Sequence, residues 1–177
     1  MTLISDAYRA QLSQLHTDRP DFGTSSVMYA PIVKSIISRY KPSRLLDVGC
    51  GKQALKTALG LNDRLYVGYD PAIPECSNTP NPEDLVVCTD VMEHVEPEFI
   101  ESVFDDLQRV TRKVGFFAIH TGKAIAILPD GRNAHLIQES PDWWLPKILS
   151  RFSLVAFEKG DNGFWVLVEP KGYLNGK

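Results

Sequence analysis

Arg44-Leu45-Leu46-Asp47-Val48-Gly49-Cys50-Gly51, followed by Leu65-Tyr66-Val67-Gly68-Tyr69-Asp70, decides how this chain is read. Both stretches are apolar; one runs into Asp-x-Gly-x-Gly, the other into an acid, and a helix-like segment separates them. A strand entering a glycine turn and then a helix gathers backbone N–H groups at one point. Gly49 and Gly51 lack the Cβ atoms that would hold a ligand off the main chain, and the helix opening near Lys52 offers unpaired N–H groups. Asp70, at the tip of the neighbouring strand, is placed to accept both hydroxyls of a ribose. The pattern points to a nucleoside-bearing ligand.

Two phosphate chemistries can be weighed on the same residues. Ala54 stands where a dinucleotide fingerprint carries its third glycine, a replacement that fingerprint tolerates, so a nicotinamide cofactor stays open. A Walker loop needs Gly-Lys-Ser/Thr after four intervening residues; Gly51-Lys52-Gln53 supplies neither the spacing nor the hydroxyl for magnesium, which disfavours ATP hydrolysis.

Further along runs Asp84-Leu85-Val86-Val87-Cys88-Thr89-Asp90-Val91-Met92-Glu93-His94-Val95. With the two stretches above, in this order and spacing, residues 26–120 resemble the class I S-adenosylmethionine-dependent methyltransferases, and Glu93-His94-Val95 resembles the branch acting on small molecules. The segments Asn133-Ala134-His135-Leu136-Ile137 and Trp143-Trp144 resemble small methyltransferase-domain proteins of phage and bacterial origin. The resemblance implies a Rossmann-like α/β fold, mostly parallel with a C-terminal antiparallel hairpin, and S-adenosylmethionine as cofactor with S-adenosylhomocysteine as product. It places Asp47, Gly49, Cys50, Gly51, Asp70, Cys88, Thr89 and Asp90 around the cofactor.

Bulk properties fit one domain spanning 1–177, with a helical cover over 1–43 and a sheet core over 44–177. The chain has 177 residues, 44% hydrophobic and 23% charged, enough for an adequate core. A net charge of −3 provides no general attraction for the phosphates of an extended nucleic acid, so none is expected as partner. Cys50, Cys76 and Cys88 lack the paired spacings of a zinc site; they are expected to be reduced packing residues, and no metal is expected. The N-terminus carries no cationic leader with an apolar core, and no stretch approaches ~20 apolar residues, so a soluble cytoplasmic protein without a membrane partner is expected.

Periodicity predicts a helix over 5–16, capped by Ser5 or Asp6, and a second over 26–40 that ends before Lys41-Pro42. Both precede the first strand and are placed to cover the cofactor mouth or one face of the sheet. Strands are expected over 44–48, 65–69, 84–89 and 114–120, with helices over 52–60 and 97–111. This alternation of apolar strands and helices indicates a parallel sheet buried on both faces. A helix over 141–152, capped by Ser140, precedes two strands over 153–158 and 164–169 joined by Gly160-Asp161-Asn162-Gly163, a hairpin signal.

One stretch departs from the family. Only thirteen residues, Pro71 to Glu83, separate the second strand tip from the next strand, and four of them are prolines. Thirteen residues cannot hold a right-handed crossover and another parallel strand. The third strand and its flanking helices are therefore expected to be missing. The resemblance implies an adenine contact from that strand, so here adenine would be held by Ile73, Pro74 or the 76–83 loop, or by a second subunit in a homodimer, or by the acceptor itself.

Methyl transfer from a sulfonium needs chiefly an in-line approach, and an acceptor hydroxyl also needs a base. His94 and His120, at strand ends facing the ligand mouth, are the expected catalytic residues. His135 could contact the acceptor, and His16 is assigned to packing or solvent. Glu93 is read as a helix-start acid. Gln53 either narrows the pocket or points outward. Trp143 and Trp144 cannot share one helix face, so one belongs to the core and the other could wall the acceptor. The expected activity is methylation of an oxygen or nitrogen of a small or glycan-like acceptor. Its rivals are a non-catalytic binding protein with a degenerate pocket and a nicotinamide-dependent oxidoreductase.

Overall fold

The structure, a computed structural model, describes residues 2–172. Strands β1 (Leu45–Val48), β2 (Tyr66–Tyr69), β3 (Glu83–Thr89), β4 (Thr111–His120), β5 (Phe152–Lys159) and β6 (Gly163–Pro170) form one sheet in the order β2-β1-β3-β4-β6-β5. Its first four members are parallel, with Leu46 facing Val67 on one side and Val86 on the other. The closing hairpin β5–β6 joins β4 antiparallel.

Alternation along each strand sends side chains to two apolar layers. Leu46, Val86, Cys88, Phe117, Ile119, Val166 and Val168 meet helices α4 (Ile100–Val110) and α5 (Pro141–Arg151) on one face. Leu45, Leu85, Val87, Phe116 and Ala118 meet helices α2 (Ala30–Tyr40) and α3 (Ala54–Leu59) on the other. The remaining helix, α1 (Asp6–Asp18), packs on neither. Its Tyr8 and Leu15 join Leu128 and Ala134 in a third cluster beyond the strand tips, so α1 covers the mouth while α2 covers a sheet face.

Several predicted elements shift at their ends for identifiable reasons. The segment expected as a helix over 26–40 opens as a 3₁₀ turn, Ser25–Tyr29, before α2, and Lys41 closes α2 in the left-handed region ahead of Pro42. Gln53 is also left-handed, at φ 55°, which delays α3 to Ala54. Pro97–Phe99 forms another 3₁₀ turn before α4. Between Asp70 and Glu83 the chain makes only the 3₁₀ turn Pro74–Cys76, so the third strand and its helices are absent and β2 is an edge. No described helix is long and apolar enough to cross a membrane.

Candidate active site

A cavity of about 440 Å³ lies across the C-terminal tips of β1, β2, β3 and β4, where open α/β sheets hold ligands. Its floor starts at the glycine turn. Gly49 and Cys50 donate their N–H groups to Tyr69 O at 2.7 and 3.1 Å, tying the turn to the end of β2. Asp70 then reaches back, its Oδ2 accepting from Gly51 N–H at 3.2 Å and its Oδ1 from Ala72 N–H at 2.9 Å. The turn and Asp70 are thus neighbours on one wall of the cavity.

The glycines themselves answer first to protein. Gly49 has φ +73°, and a Cβ there would overlap Val91 Cγ2 and come within 2.9 Å of its Cγ1. A Cβ on Gly51 would stand 2.5 Å from Gly23 O. A side chain at either position would meet protein first: the nearest obstacles are Val91 and the 19–24 loop.

That loop and α1 form the roof. Lys52 Nζ donates to Arg19 O at 3.0 Å, and Ser5, the N-cap of α1, is held by Glu96 through its N–H (2.8 Å) and hydroxyl (2.6 Å). Tyr8 donates its hydroxyl proton to His94 O at 2.7 Å. His16, Phe22 and Ser25 consequently line the cavity. His16 Nε2 is 3.8 Å from Asp70 Oδ2, its Nδ1 is buried without a partner, and burial pushes its pKa down. The assignment of His16 to packing or solvent is therefore corrected; it faces the same space as Asp70.

The residues expected to hold adenine do not line this cavity. Ile73 lies in a separate open depression with Gln53, Glu75 and Cys76, and Pro74 and the 76–83 loop do not line the main cavity. A mainly apolar part of the cavity wall is formed by Leu3, Ile4, Tyr69, Val103 and Leu107, with Asp106. Gln53 points outward, its Nε2 3.4 Å from Cys76 Sγ.

At the opposite end stand Asp90, His94, His120 and His135. The 3₁₀ turn Met92–His94 carries His94 inward, where its Nδ1 lies 2.8 Å from Ala134 O. His135 Nδ1 lies 2.6 Å from Gly122 O. Carbonyl oxygens only accept, so both Nδ1 atoms carry hydrogens and each neutral ring keeps its lone pair on Nε2. His120 is the reverse: its Nδ1 accepts from Gly122 N–H at 3.1 Å, leaving the hydrogen on Nε2. The ring centroids of His94 and His135 are 4.7 Å apart, those of His120 and His135 4.9 Å. Burial, followed by the neighbouring His135, pushes His94 down to about 4, so it is neutral at pH 7. Burial lowers His135 as well.

The acids behind these rings are held in contrasting states. Burial opposes ionisation of Asp90, but the Ser25 hydroxyl bonded to its Oδ2 and the adjacent His94 outweigh that and keep the carboxyl low. Glu93 is fully buried; burial and the Asp90 charge push it well up. Glu93 accepts His120 N–H on Oε1 at 2.6 Å, while its Oε2 is buried without a hydrogen-bond partner. It anchors the site from beneath, beyond the helix-start role read from sequence.

Four residues expected at the cofactor have side chains behind the cavity wall. Asp47 Oδ2 accepts from Tyr66 O–H at 2.6 Å inside the core, Cys50 packs against Gly68, and Cys88 and Thr89 are buried in β3. Gly49, Gly51, Asp70 and Asp90 do line it. Trp144 is core, while Trp143 stacks with Lys147 on α5 and does not reach the cavity. The expectation of no metal meets a contrary arrangement: Asp90, His94 and His135 each bring a ligand atom within 4.8 Å of the others.

No protein-family model matches the chain, and no curated protein does. Solved structures match along nearly its whole length. The 1,6-didemethyltoxoflavin-N1-methyltransferase of Burkholderia thailandensis, solved with 1,6-didemethyltoxoflavin and S-adenosylhomocysteine, is similar at TM-score 0.66 and 12% identity, over 93% of this chain and 88% of that one. The N-methyltransferase NodS of Bradyrhizobium japonicum WM9, in complex with S-adenosylhomocysteine, is similar at 0.62 and 11%, over 93% and 99%. The PH0226 protein of Pyrococcus horikoshii OT3 is similar at 0.61 and 14%, over 95% and 100%. At such identities the likeness is one of fold, and this chain has the Rossmann-like fold of the class I S-adenosylmethionine-dependent methyltransferases.

Proposed function

We propose that the protein transfers the methyl group of S-adenosylmethionine to an oxygen or nitrogen of a small or sugar-like acceptor. The observation that carries this reading is one continuous cavity with two chemically different ends: Gly49, Gly51 and Asp70 with an apolar recess, and a ring of three histidines. Its volume suits a cofactor and part of a small acceptor. Asp70 and the unpartnered His16 Nδ1 face the ribose, and Tyr69, Val103 and Leu107 receive adenine in place of the missing strand. The methionine end lies along Gly49 and Gly51, with its sulfur toward the histidines.

Catalysis is then chiefly placement of an acceptor atom in line with the methyl group, which can contribute on the order of 7–11 kcal/mol toward the barrier. The two expected catalytic histidines divide their work by tautomer. His94 presents a bare Nε2 able to accept an acceptor proton, whereas His120 presents an N–H able to orient an acceptor oxygen.

Calorimetric titration with S-adenosylhomocysteine and with NADH tests the cofactor. Saturable binding of the former alone, lost in Asp70→Ala with the fold intact by circular dichroism, is expected. Binding of NADH alone would make the oxidoreductase the correct reading. Incubation with methyl-labelled cofactor and pools of small hydroxyl and amine compounds tests transfer; cofactor binding without labelled product would favour the non-catalytic binding protein.

A further inference from the structure

We propose that Asp90, His94 and His135 bind one divalent transition-metal cation at the histidine end of the cavity. Among the described residues this is the one group of three such side chains whose donor atoms converge, each within 4.8 Å of the others.

The hydrogen bonds dictate what converges. His94 and His135 spend their Nδ1 hydrogens on Ala134 O and Gly122 O, so the atoms left free are two bare Nε2 lone pairs. The third member is a carboxylate, which also only accepts. The groups these three residues have left to offer are therefore all acceptors, brought within one cluster with no hydrogen of their own to share, an arrangement a cation resolves. Metal-bound imidazoles characteristically donate their other N–H to a backbone carbonyl, which fixes tautomer and ring orientation.

Each ligand is also braced from outside. Asp90 sits at φ +59°, a left-handed conformation uncommon for a residue other than glycine, and its N–H is held by Ala118 O at 3.0 Å. Ser25 takes one side of its carboxylate. Tyr8 fixes the backbone of His94. Asn133 accepts from Ala124 N–H at 2.9 Å and from His135 N–H at 3.0 Å, shaping the excursion that delivers His135. His120 is excluded from the ligand set because its Nε2 carries the hydrogen.

Two imidazoles and one carboxylate, with the cavity side left open, suit Mn²⁺, Fe²⁺, Co²⁺ or Zn²⁺ better than Mg²⁺ or Ca²⁺, which prefer all-oxygen shells. What the cation does rests on the methyl-transfer reading: an acceptor hydroxyl would occupy an open position. Polarised there, the hydroxyl loses its proton to water. Its oxygen lone pair forms the new C–O bond as the S–CH₃ bond breaks, the bonding pair passing to sulfur, which leaves as a neutral thioether. With the cation in place, His94 is a ligand and no longer the base.

The test needs no cofactor or acceptor. The full chain, stripped with chelator, is titrated with Mn²⁺ while the free-ion electron paramagnetic resonance signal is followed, and with Co²⁺ while its visible absorption is followed. One ion per chain is expected, weakened about tenfold or more in His94→Ala and in His135→Gln. Melting temperatures near that of the parent protein are required of both variants; His135→Asn replaces either if it fails to fold. No uptake of either ion at millimolar concentration, or uptake unchanged by all the substitutions, overturns the site. Because S-adenosylhomocysteine binding is measured separately, a metal site without cofactor binding would leave this inference standing and remove the proposed function.

Discussion

Replacing Gly49 with alanine should destabilise the protein through a specific neighbour, and the neighbour can be taken away. The new Cβ would overlap Val91 Cγ2 and stand 2.9 Å from Cγ1, on a backbone at φ +73°. The left-handed conformation costs an L-residue about 1–2 kcal/mol. Overpacking adds about 1–3 kcal/mol, so the single substitution should cost about 2–5 kcal/mol. Val91→Ala removes both γ carbons and leaves only a Cβ at 3.2 Å. In that background Gly49→Ala should cost little beyond the backbone component, giving a coupling of about 1–3 kcal/mol between the sites. Urea unfolding of the four proteins, followed by tryptophan fluorescence, yields the cycle. Coupling under about 0.5 kcal/mol would refute the claim that Val91 is what the glycine accommodates. Gly51→Ala should have no comparable rescue, because its obstacle is the backbone oxygen of Gly23.

The remaining predictions concern charge and the roof. Burial raises Asp47 from an ordinary carboxylate value to about 7, against the lowering effect of the Tyr66 hydroxyl, so the folded state holds its proton more tightly than the unfolded chain. The associated stability is fully present below about pH 4 and is lost as pH rises toward 7, to an upper bound of about 4 kcal/mol. Asp47→Asn, which keeps an acceptor for Tyr66, should therefore gain on the parent between pH 5 and pH 8 in urea unfolding; parallel curves would contradict this. Glu96→Ala removes both bonds to Ser5 and should loosen α1 by about 1–3 kcal/mol. Hydrogen exchange should then quicken over residues 6–18 and not in β3 or β4, with weaker S-adenosylhomocysteine binding because His16 and Phe22 lose their footing.

The order of elements was legible because strands buried on both faces write continuous apolar runs, and because thirteen residues are too few for a crossover whatever their identity. What the sequence could not display was direction. Asp47, Cys50, Cys88 and Thr89 sit where the motif touches the ligand mouth, but which side of a strand tip faces the opening is settled by the pleat and the turn together, and these side chains face the core. His16 offered no signal at all, since its meeting with Asp70 spans 54 positions and depends on α1 folding back over the strand tips. The tautomers of His94, His120 and His135 were equally hidden, because the backbone groups that set them, Ala134 O, Gly122 N–H and Gly122 O, are partners that no spacing reveals.

Losing its third strand leaves this sheet terminating at β2, a ribbon of only four residues whose outer rim has no companion among the described residues. Such a rim would ordinarily invite strangers to zip on, yet four residues provide too few rungs to hold one, and Pro71 immediately ends the opportunity. At the far border β5 is longer, and a register irregularity between Leu154 and Ala156 interrupts its regularity. Shortness on one flank and unevenness on the other thus allow a trimmed-down scaffold to keep its polypeptide ladder to itself.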